Sequence, residues 1–298
     1  MEKFAVIDIG SNSVRMGIYS DENGFCEHDR KRLNTRLAQG LNSDNLLKDE
    51  PIERTVSALK DFRNYIDSHK INTVIAVATE SLRRAENASV FTKRVKAEAN
   101  IDIEIIDGER EAKYGMYAAS TSVSIDSYYV LDTGGGSFEL SLVENKALKA
   151  HTCMPYGAVV LNEAFMPDKN GVEEMLCCLE QRLKETGFIT LNSYPVVALG
   201  GSVKALASAS GIQGDPDGQK ISSDQAFTLY DEIFITPVNE RSEKFGMEDA
   251  RKDIIVAGLS PLVTLMSLTD TQEVYFCTRS IRDGVAAEYI KKFNDTCF

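Results

Sequence analysis

Three short segments combine glycine with small hydroxyl residues, two of them with an acid as well, in patterns able to hold and activate a phosphate group. The first is Asp8-Ile-Gly-Ser-Asn-Ser13, at the end of an apolar run that begins at Phe4. Gly10 permits close backbone approach, and the successive N–H groups and side chains of Ser11, Asn12 and Ser13 can form a concave donor nest for an anion. Asp8, at the strand's end, can hold a hydrated Mg²⁺ that bridges phosphate oxygens. The same residues would also serve a plain hairpin turn. The second segment, Asp132-Thr-Gly-Gly-Gly-Ser137, is sharper. Each glycine costs roughly 0.5–1 kcal/mol relative to alanine in a regular element, and a simple hairpin needs only one or two. Gly134, Gly135, Gly136 and Ser137 therefore read as backbone brought against an anion. The third, Gly200-Gly201-Ser202, follows a buried strand and opens a helix, whose free N–H groups could face an anion. Tight strand-to-helix packing explains that pair equally well.

Other chemistries find no support. The 298-residue chain lacks G-x-x-x-x-G-K-[ST], G-x-S-x-G and H-E-x-x-H, and its three histidines, His28, His69 and His151, fall near no nucleophile motif. The formal net charge of -12 excludes a diffuse basic surface for nucleic acid. A polyanionic substrate would have to be met by a few clustered cations and backbone N–H groups. Six cysteines, Cys26, Cys153, Cys177, Cys178, Cys277 and Cys297, show no C-x-x-C pair or zinc-type spacing. They read as reduced thiols, mostly packing. No apolar run is long enough for a membrane span and no signal peptide is evident, so a cytoplasmic location is expected.

The elements that must position these segments follow from periodicity. Strands are expected at Phe4–Ile9, Val14–Tyr19 and about 25–33, then a helix whose Ile52, Val56, Leu59, Phe62 and Ile66 share one face. A strand at Thr73–Ala78, a helix over 84–98, a strand at Ile103–Ile106 and a helix from Glu109 to Ala119 complete this half. The order then restarts with strands at Tyr128–Asp132, Phe138–Val143 and about 146–153, and a helix marked by Val172, Leu176, Leu179 and Leu183. A strand at Tyr194–Leu199, helices at about 202–208, 223–234 and 249–267, a short strand at Val274–Cys277 and a last helix through Ile281, Val285 and Tyr289 follow. Residues 211–220 read as a surface loop. The chain is thus a duplicated α/β unit, with Asp8–Ser13 matched to Asp132–Ser137. Domains are expected at 1–122 and 123–298, with the C-terminal helix able to pack back on the first.

Two Asp-Gly phosphate loops on duplicated α/β units, with a third Gly pair, resemble the actin, sugar kinase and heat-shock ATPase layout. That layout is a duplicated ribonuclease-H-like fold of two lobes with an interdomain cleft. The resemblance narrows with Asp8–Arg15, Arg36-Leu-Ala-Gln-Gly-Leu41, Ala78-Thr-Glu-Ser-Leu-Arg-Arg84, Gly108-Glu-Arg-Glu-Ala112, Asp132–Glu139, Gly157-Ala-Val-Val-Leu161, Gly200-Gly-Ser202 and Arg282-Asp-Gly284. In order and spacing this set resembles the exopolyphosphatase / guanosine pentaphosphate phosphohydrolase family over nearly the whole chain. Ser280 stands where that family more often has Gly, and Asp283 where it has Glu. The sequence stops at Phe298, without the extra C-terminal helical region of longer members, which leaves processive work on long chains without that support.

The resemblance implies roles. Glu111 matches the catalytic base that orients or deprotonates the attacking water, although by position alone it reads first as a first-turn acid complementing a helix dipole. Asp132 and Glu139 match acids near metal and water, and Asp8 a first-lobe acid facing the cleft. Ser13, Arg15 and Arg83 match phosphate contacts. The implied reaction is Mg²⁺-dependent release of terminal orthophosphate from polyphosphate, with guanosine pentaphosphate as the alternative substrate. Family members are often dimers, so a homodimer is the expected assembly. A nucleotide-binding sensor and a small-molecule kinase of the same superfamily are the competing classes. A pure binder, however, has no need of carboxylates at 8, 111, 132 and 139.

Overall fold

A computed structural model of the protein describes residues 2–22, 25–41, 45–165 and 169–296. In chain order the first half runs β1 (Phe4–Ile9), β2 (Val14–Ser20), β3 (Cys26–Leu33), α1 (Asp49–Ser68), β4 (Thr73–Ala78), α2 (Glu80–Arg84), α3 (Ala88–Ala99), β5 (Ile103–Ile105) and α4 (Gly108–Ser122). The second half runs β6 (Tyr128–Thr133), β7 (Phe138–Glu144), β8 (Ala147–Met154), α5 (Ala158–Phe165), α6 (Lys169–Glu185), β9 (Val196–Gly200), α7 (Gly201–Ala209), β10 (Lys220–Ser222), α8 (Ser223–Ile235), α9 (Val238–Phe245), α10 (Ile255–Thr269), β11 (Glu273–Phe276) and α11 (Ile281–Thr296). Two compact units result: Met1–Ala118 with Ile281–Phe298, and Ala119–Ser280. The chain leaves the first unit within α4, a few residues before the boundary expected at 122/123. α11 belongs to the first unit.

Each unit is built on one sheet. The first has the order β3-β2-β1-β4-β5, antiparallel through β1, β2 and β3 and parallel through β1, β4 and β5. The second, β10-β11-β9-β6-β7-β8, repeats that plan: β6, β7 and β8 are antiparallel, β6, β9 and β11 parallel, and β10 adds an antiparallel edge. This is the duplicated ribonuclease-H-like fold. No helix among the described residues is long and apolar enough to cross a membrane.

Side-chain alternation sorts β1 onto two faces. Ala5, Ile7 and Ile9 join Val56, Leu59, Phe62 and Phe91 of α1 and α3 in one core. Phe4 and Val6 join Tyr19, Val77, Tyr114, Val285 and Ala286 in another, under α4 and α11. Asp8 therefore points to the α4/α11 face. There a buried polar network forms. Tyr19 donates its hydroxyl to Asp283 Oδ1 at 2.9 Å and accepts from Arg282 Nε at 2.6 Å. Arg282 also reaches Glu27 Oε1 at 2.9 Å. Gly17 makes room for the Tyr19 ring and Gly284 for the close approach of α11 to α4. A Cβ at Gly17 would lie 2.4 Å from the Tyr19 hydroxyl, and one at Gly284 would lie 1.9 Å from the Tyr114 carbonyl oxygen.

Several sequence expectations need correction. The helix expected over 84–98 is α3, which begins only at Ala88, with the short α2 ahead of it. The side-chain amide of Asn87 exchanges two hydrogen bonds with the Leu47 backbone, at 2.9 and 3.0 Å, and holds the break. Arg83 and Arg84 thus end a helix instead of starting one. The helix expected from 249 begins at Ile255, after a 3-10 turn at Asp249–Arg251. On α6, Met175 takes the fully buried position expected of Leu176. The 211–220 segment is a surface loop as expected, with none of its residues buried, and hydrogen bonds hold it in place. Gln219 O accepts from Phe276 N at 2.8 Å, and Asp217 Oδ1 accepts from Ser122 Oγ and from Thr278 N, both at 2.8 Å. The described cysteines are free thiols, but Cys153 and Cys177 are exposed and only Cys277 is buried, so packing is not their general role. Cys297 lies outside the described residues.

Two stability predictions follow from the α4/α11 face. Gly284→Ala forces a methyl group into rigid backbone and should cost about 1–3 kcal/mol. Tyr19→Phe strips a buried charge network of its bridge and should cost about 1–3 kcal/mol. Urea unfolding midpoints at unchanged slope would register both losses, and midpoints equal to wild type would refute the account.

Candidate active site

In both units the chemistry-bearing residues gather where parallel strands end, the usual place for ligands in such sheets. The β1–β2 connection closes with Gly10 N donating to Ser13 O at 3.1 Å, and the β6–β7 connection closes with Gly134 N donating to Ser137 O at 2.9 Å. The two loops are the same turn. Next, each turn hands its carbonyls to a later segment. Ser11 O and Asn12 O accept from Ala38 N and Arg36 N, both at 3.0 Å. Gly134 O and Gly135 O accept from Ala158 N at 2.9 Å and Val159 N at 3.0 Å, the first residues of α5. With the carbonyls committed, the N–H groups of Ser11, Asn12, Ser13, Gly135, Gly136 and Ser137 have no acceptor among the described residues. This arrangement suits an anion. Gly157 must be glycine for α5 to approach, since a Cβ there would lie 2.4 Å from the Gly135 carbonyl oxygen.

The strand register pairs Asp8 with Arg15 in one hairpin and Asp132 with Glu139 in the other. The equivalent position opposite the aspartate is a cation in the first unit and an acid in the second. Burial pushes the Asp8 carboxyl above its usual range; the charges of Arg15 and Arg282 pull it down and that of Asp283 pushes it up. Glu139 Oε1 accepts from Ser137 Oγ at 2.7 Å and from Cys153 Sγ at 3.2 Å. The Ser137 hydroxyl is thus directed at Glu139, while its N–H belongs to the loop.

Glu111 sits in the first turn of α4, which Asp107 caps by accepting from Arg110 N at 2.8 Å. Its side chain is 9% exposed and meets Arg83 Nη1 at 2.6 Å. The same nitrogen donates to the Ile106 carbonyl at 2.9 Å. Arg83 and Glu111 are therefore one assembly, in which the arginine holds the carboxylate. No motif signals this pairing, since the two residues lie 28 positions apart.

At the third segment Gly200 has φ +100, and a Cβ there would lie 2.6 Å from Thr133 O and 3.0 Å from Asp132 Oδ1. The glycine brings the end of β9 against Asp132. Ser202 is 1% exposed, and its Oγ would lie 2.1 Å from a Cβ on Gly258 of α10. Its side chain is packing; only its place at the start of α7 concerns an anion. Gly201 reveals a residue absent from the sequence reading. A Cβ at 201 would lie 1.9 Å from Arg251 Cζ, so the Arg251 guanidinium rests on the N-terminal residue of α7. Its described acidic neighbour, Glu248, is 3.9 Å away with a side chain 81% exposed. No motif marks Arg251, because it lies 50 residues along the chain from the glycine it covers.

The carboxylates can be tested against the expected Mg²⁺. Among the described residues no three His, Cys, Asp or Glu side chains form a metal cage. What each unit offers is a single strand-end aspartate beside an N–H-rich loop, Asp8 or Asp132. That donor set fits Mg²⁺, which keeps several waters and is bound through one or two carboxylates plus substrate phosphates.

The chain is similar to known proteins over most of its length. The family model described as the Ppx/GppA phosphatase family matches residues 18–293. A guanosine-5'-triphosphate,3'-diphosphate pyrophosphatase of Vibrio atlanticus is 28% identical over 299 residues, covering 97% of this chain and 60% of its own length. A bifunctional 3-dehydroquinate synthase/phosphatase of Fusobacterium nucleatum is 29% identical, covering 85% of this chain and 41% of its own. The chain thus spans less than two thirds of these curated relatives. An Aquifex aeolicus Ppx/GppA family structure superposes with a TM-score of 0.89 at 29% identity, covering 98% of each chain. An exopolyphosphatase of Cytophaga hutchinsonii shares the fold, with a TM-score of 0.83 at 22% identity over 98% of each chain. The match runs from β2 into α11, through both sheets and every site segment after the first loop: the chain belongs to the Ppx/GppA phosphatase family.

Proposed function

We propose that this protein is an exopolyphosphatase that releases terminal orthophosphate from inorganic polyphosphate by attack of water. The observation that carries the reading is the repeated turn, Gly10–Ser13 and Gly134–Ser137, each presenting N–H groups beside a strand-end aspartate. Phosphoryl transfer to water needs positioned donors, a cation and an oriented nucleophile, and no covalent intermediate.

Asp8 and Asp132 would hold Mg²⁺, which when bound supplies positive charge to the phosphate oxygens. The loop N–H groups, Arg15 and Arg251 bind the phosphate chain. Glu111, fixed by Arg83, orients the attacking water and accepts its proton. The water oxygen forms the new bond to the terminal phosphorus as the bridging P–O bond breaks, and the shortened chain leaves with the bridging oxygen. Glu139 and the Ser137 hydroxyl order water at the second loop. The similarity to the Vibrio atlanticus enzyme supports a second reading, in which the same chemistry removes the terminal phosphate of guanosine pentaphosphate.

The test is orthophosphate release with Mg²⁺ from long polyphosphate, tripolyphosphate and guanosine pentaphosphate. Release from the inorganic chains is expected. Release from the nucleotide alone would replace the first reading with the second, and release from none would remove both in favour of a kinase or sensor. Glu111→Gln should lower kcat by about 100-fold or more without shifting the unfolding midpoint downward; full turnover would end its assignment as base. Arg251→Ala should raise KM for tripolyphosphate about tenfold with kcat little changed, as loss of a charge-assisted bond in the ground state would. Chelation of divalent cations should abolish release, and activity in excess chelator would count against the Asp8 and Asp132 assignment.

A further inference from the structure

Arg241 of α9 is a buried arginine, 6% exposed, with no carboxylate among its described hydrogen-bond or ion-pair partners. Its guanidinium is held by three backbone carbonyls: Nε donates to Thr236 O at 2.9 Å, Nη1 to Lys252 O at 2.8 Å and Nη2 to Phe234 O at 3.3 Å. Burying a cation is expensive, and the charge of Asp253 does not outweigh the effect of burial on the Arg241 guanidinium. The geometry indicates what offsets that cost. Phe234 and Thr236 lie at the C-terminus of α8, where carbonyls lack helical donors and a cation is favoured. Lys252 lies on a different piece of chain, directly after the Asp249–Arg251 turn. Only a planar fork with several donors can span both.

That turn has no side-chain cap of its own. Arg251 N donates to Glu248 O at 2.9 Å and Ile254 N to Arg251 O at 3.1 Å, so the turn is continuous with the start of α10. Arg241 ties it to the end of α8 through the Lys252 carbonyl. One residue before that bonded carbonyl stands Arg251, whose guanidinium lies over Gly201 at the head of α7. A shift of the turn would move that guanidinium off the helix terminus.

We propose that Arg241 is a positioning residue for Arg251, fixing through the Lys252 carbonyl the turn that lays the Arg251 guanidinium over the start of α7. The inference rests on the phosphate-binding role given to Arg251 above. Arg241 itself touches no substrate.

The test compares Arg241→Lys, Arg251→Ala and the double variant, with tripolyphosphate as substrate and amide hydrogen exchange measured in parallel. Arg241→Lys keeps the charge but lacks the fork. It should raise KM about tenfold with kcat within about threefold, and the double variant should match Arg251→Ala alone, because the two changes remove one interaction. Exchange should rise at residues 249–254 and at the end of α8. A folded Arg241→Lys protein with wild-type KM, or effects that multiply in the double variant, would overturn the proposal. Should Arg251→Ala leave KM untouched, the phosphate role of Arg251 falls, and exchange alone decides: faster exchange at 249–254 in Arg241→Lys sustains the positioning of the turn, and unchanged exchange overturns it. If Arg241→Lys does not fold, Arg241→Gln, shorter and uncharged with two donors, is read by the same measurements.

Discussion

The hydrogen bond from a glycine N–H to a serine carbonyl three residues later is the constraint on which both candidate phosphate loops depend. Once Gly10 closes on Ser13 and Gly134 on Ser137, the intervening peptide planes have little freedom. Their carbonyls must be satisfied on one side, by Arg36 and Ala38 in one unit and by the first turn of α5 in the other. Their N–H groups are thereby aimed elsewhere, since each peptide plane is rigid. The need for glycine is local and steric. Gly157 admits α5 and Gly200 admits Asp132, and without either approach the loop would lose its support.

Duplication supplies the frame, and divergence within it supplies the chemistry. The residue opposite the strand-end aspartate is Arg15 in one copy and Glu139 in the other. One copy therefore brings positive charge to its loop, and the other brings a hydrogen-bond acceptor for Ser137. The first unit also buries Arg282, Asp283, Glu27 and Tyr19 together near Asp8, an assembly that satisfies its members through mutual hydrogen bonds. Removal of one member leaves the others buried and unsatisfied, and that is why such networks resist single substitutions poorly.

Much of the fold was legible because strand and helix periods are local. The central strands β1, β4, β6 and β9 could be read from runs of apolar residues, and the two Asp-Gly loops from their composition. Features that depend on distant partners were not legible. The break between α2 and α3 is held by Asn87 pairing with Leu47, forty residues away. The 211–220 segment could be read as a surface loop, but not its anchoring by Asp217 to Ser122 and Thr278. Glu111 could be singled out only by family resemblance, because its partner Arg83 is set by packing. Arg251 carries no motif at all; its position is defined by the absence of a side chain on Gly201.

The placement of α11 in the first unit bears on how the chain is made. The second unit is a continuous stretch, Ala119–Ser280, inserted into a unit whose last helix is encoded after it. During synthesis the inserted unit can complete its core while the first still lacks α11, the helix that supplies Val285 and Ala286 to one face of the sheet and Arg282 and Asp283 to the surroundings of Asp8. Until α11 has been made, that face has α4 alone over it, and Phe4 and Tyr19 lack their partners Tyr289 and Asp283. The N-terminal half of the protein is thus the later to mature, and its nascent form is a natural client for chaperones that shield apolar surface.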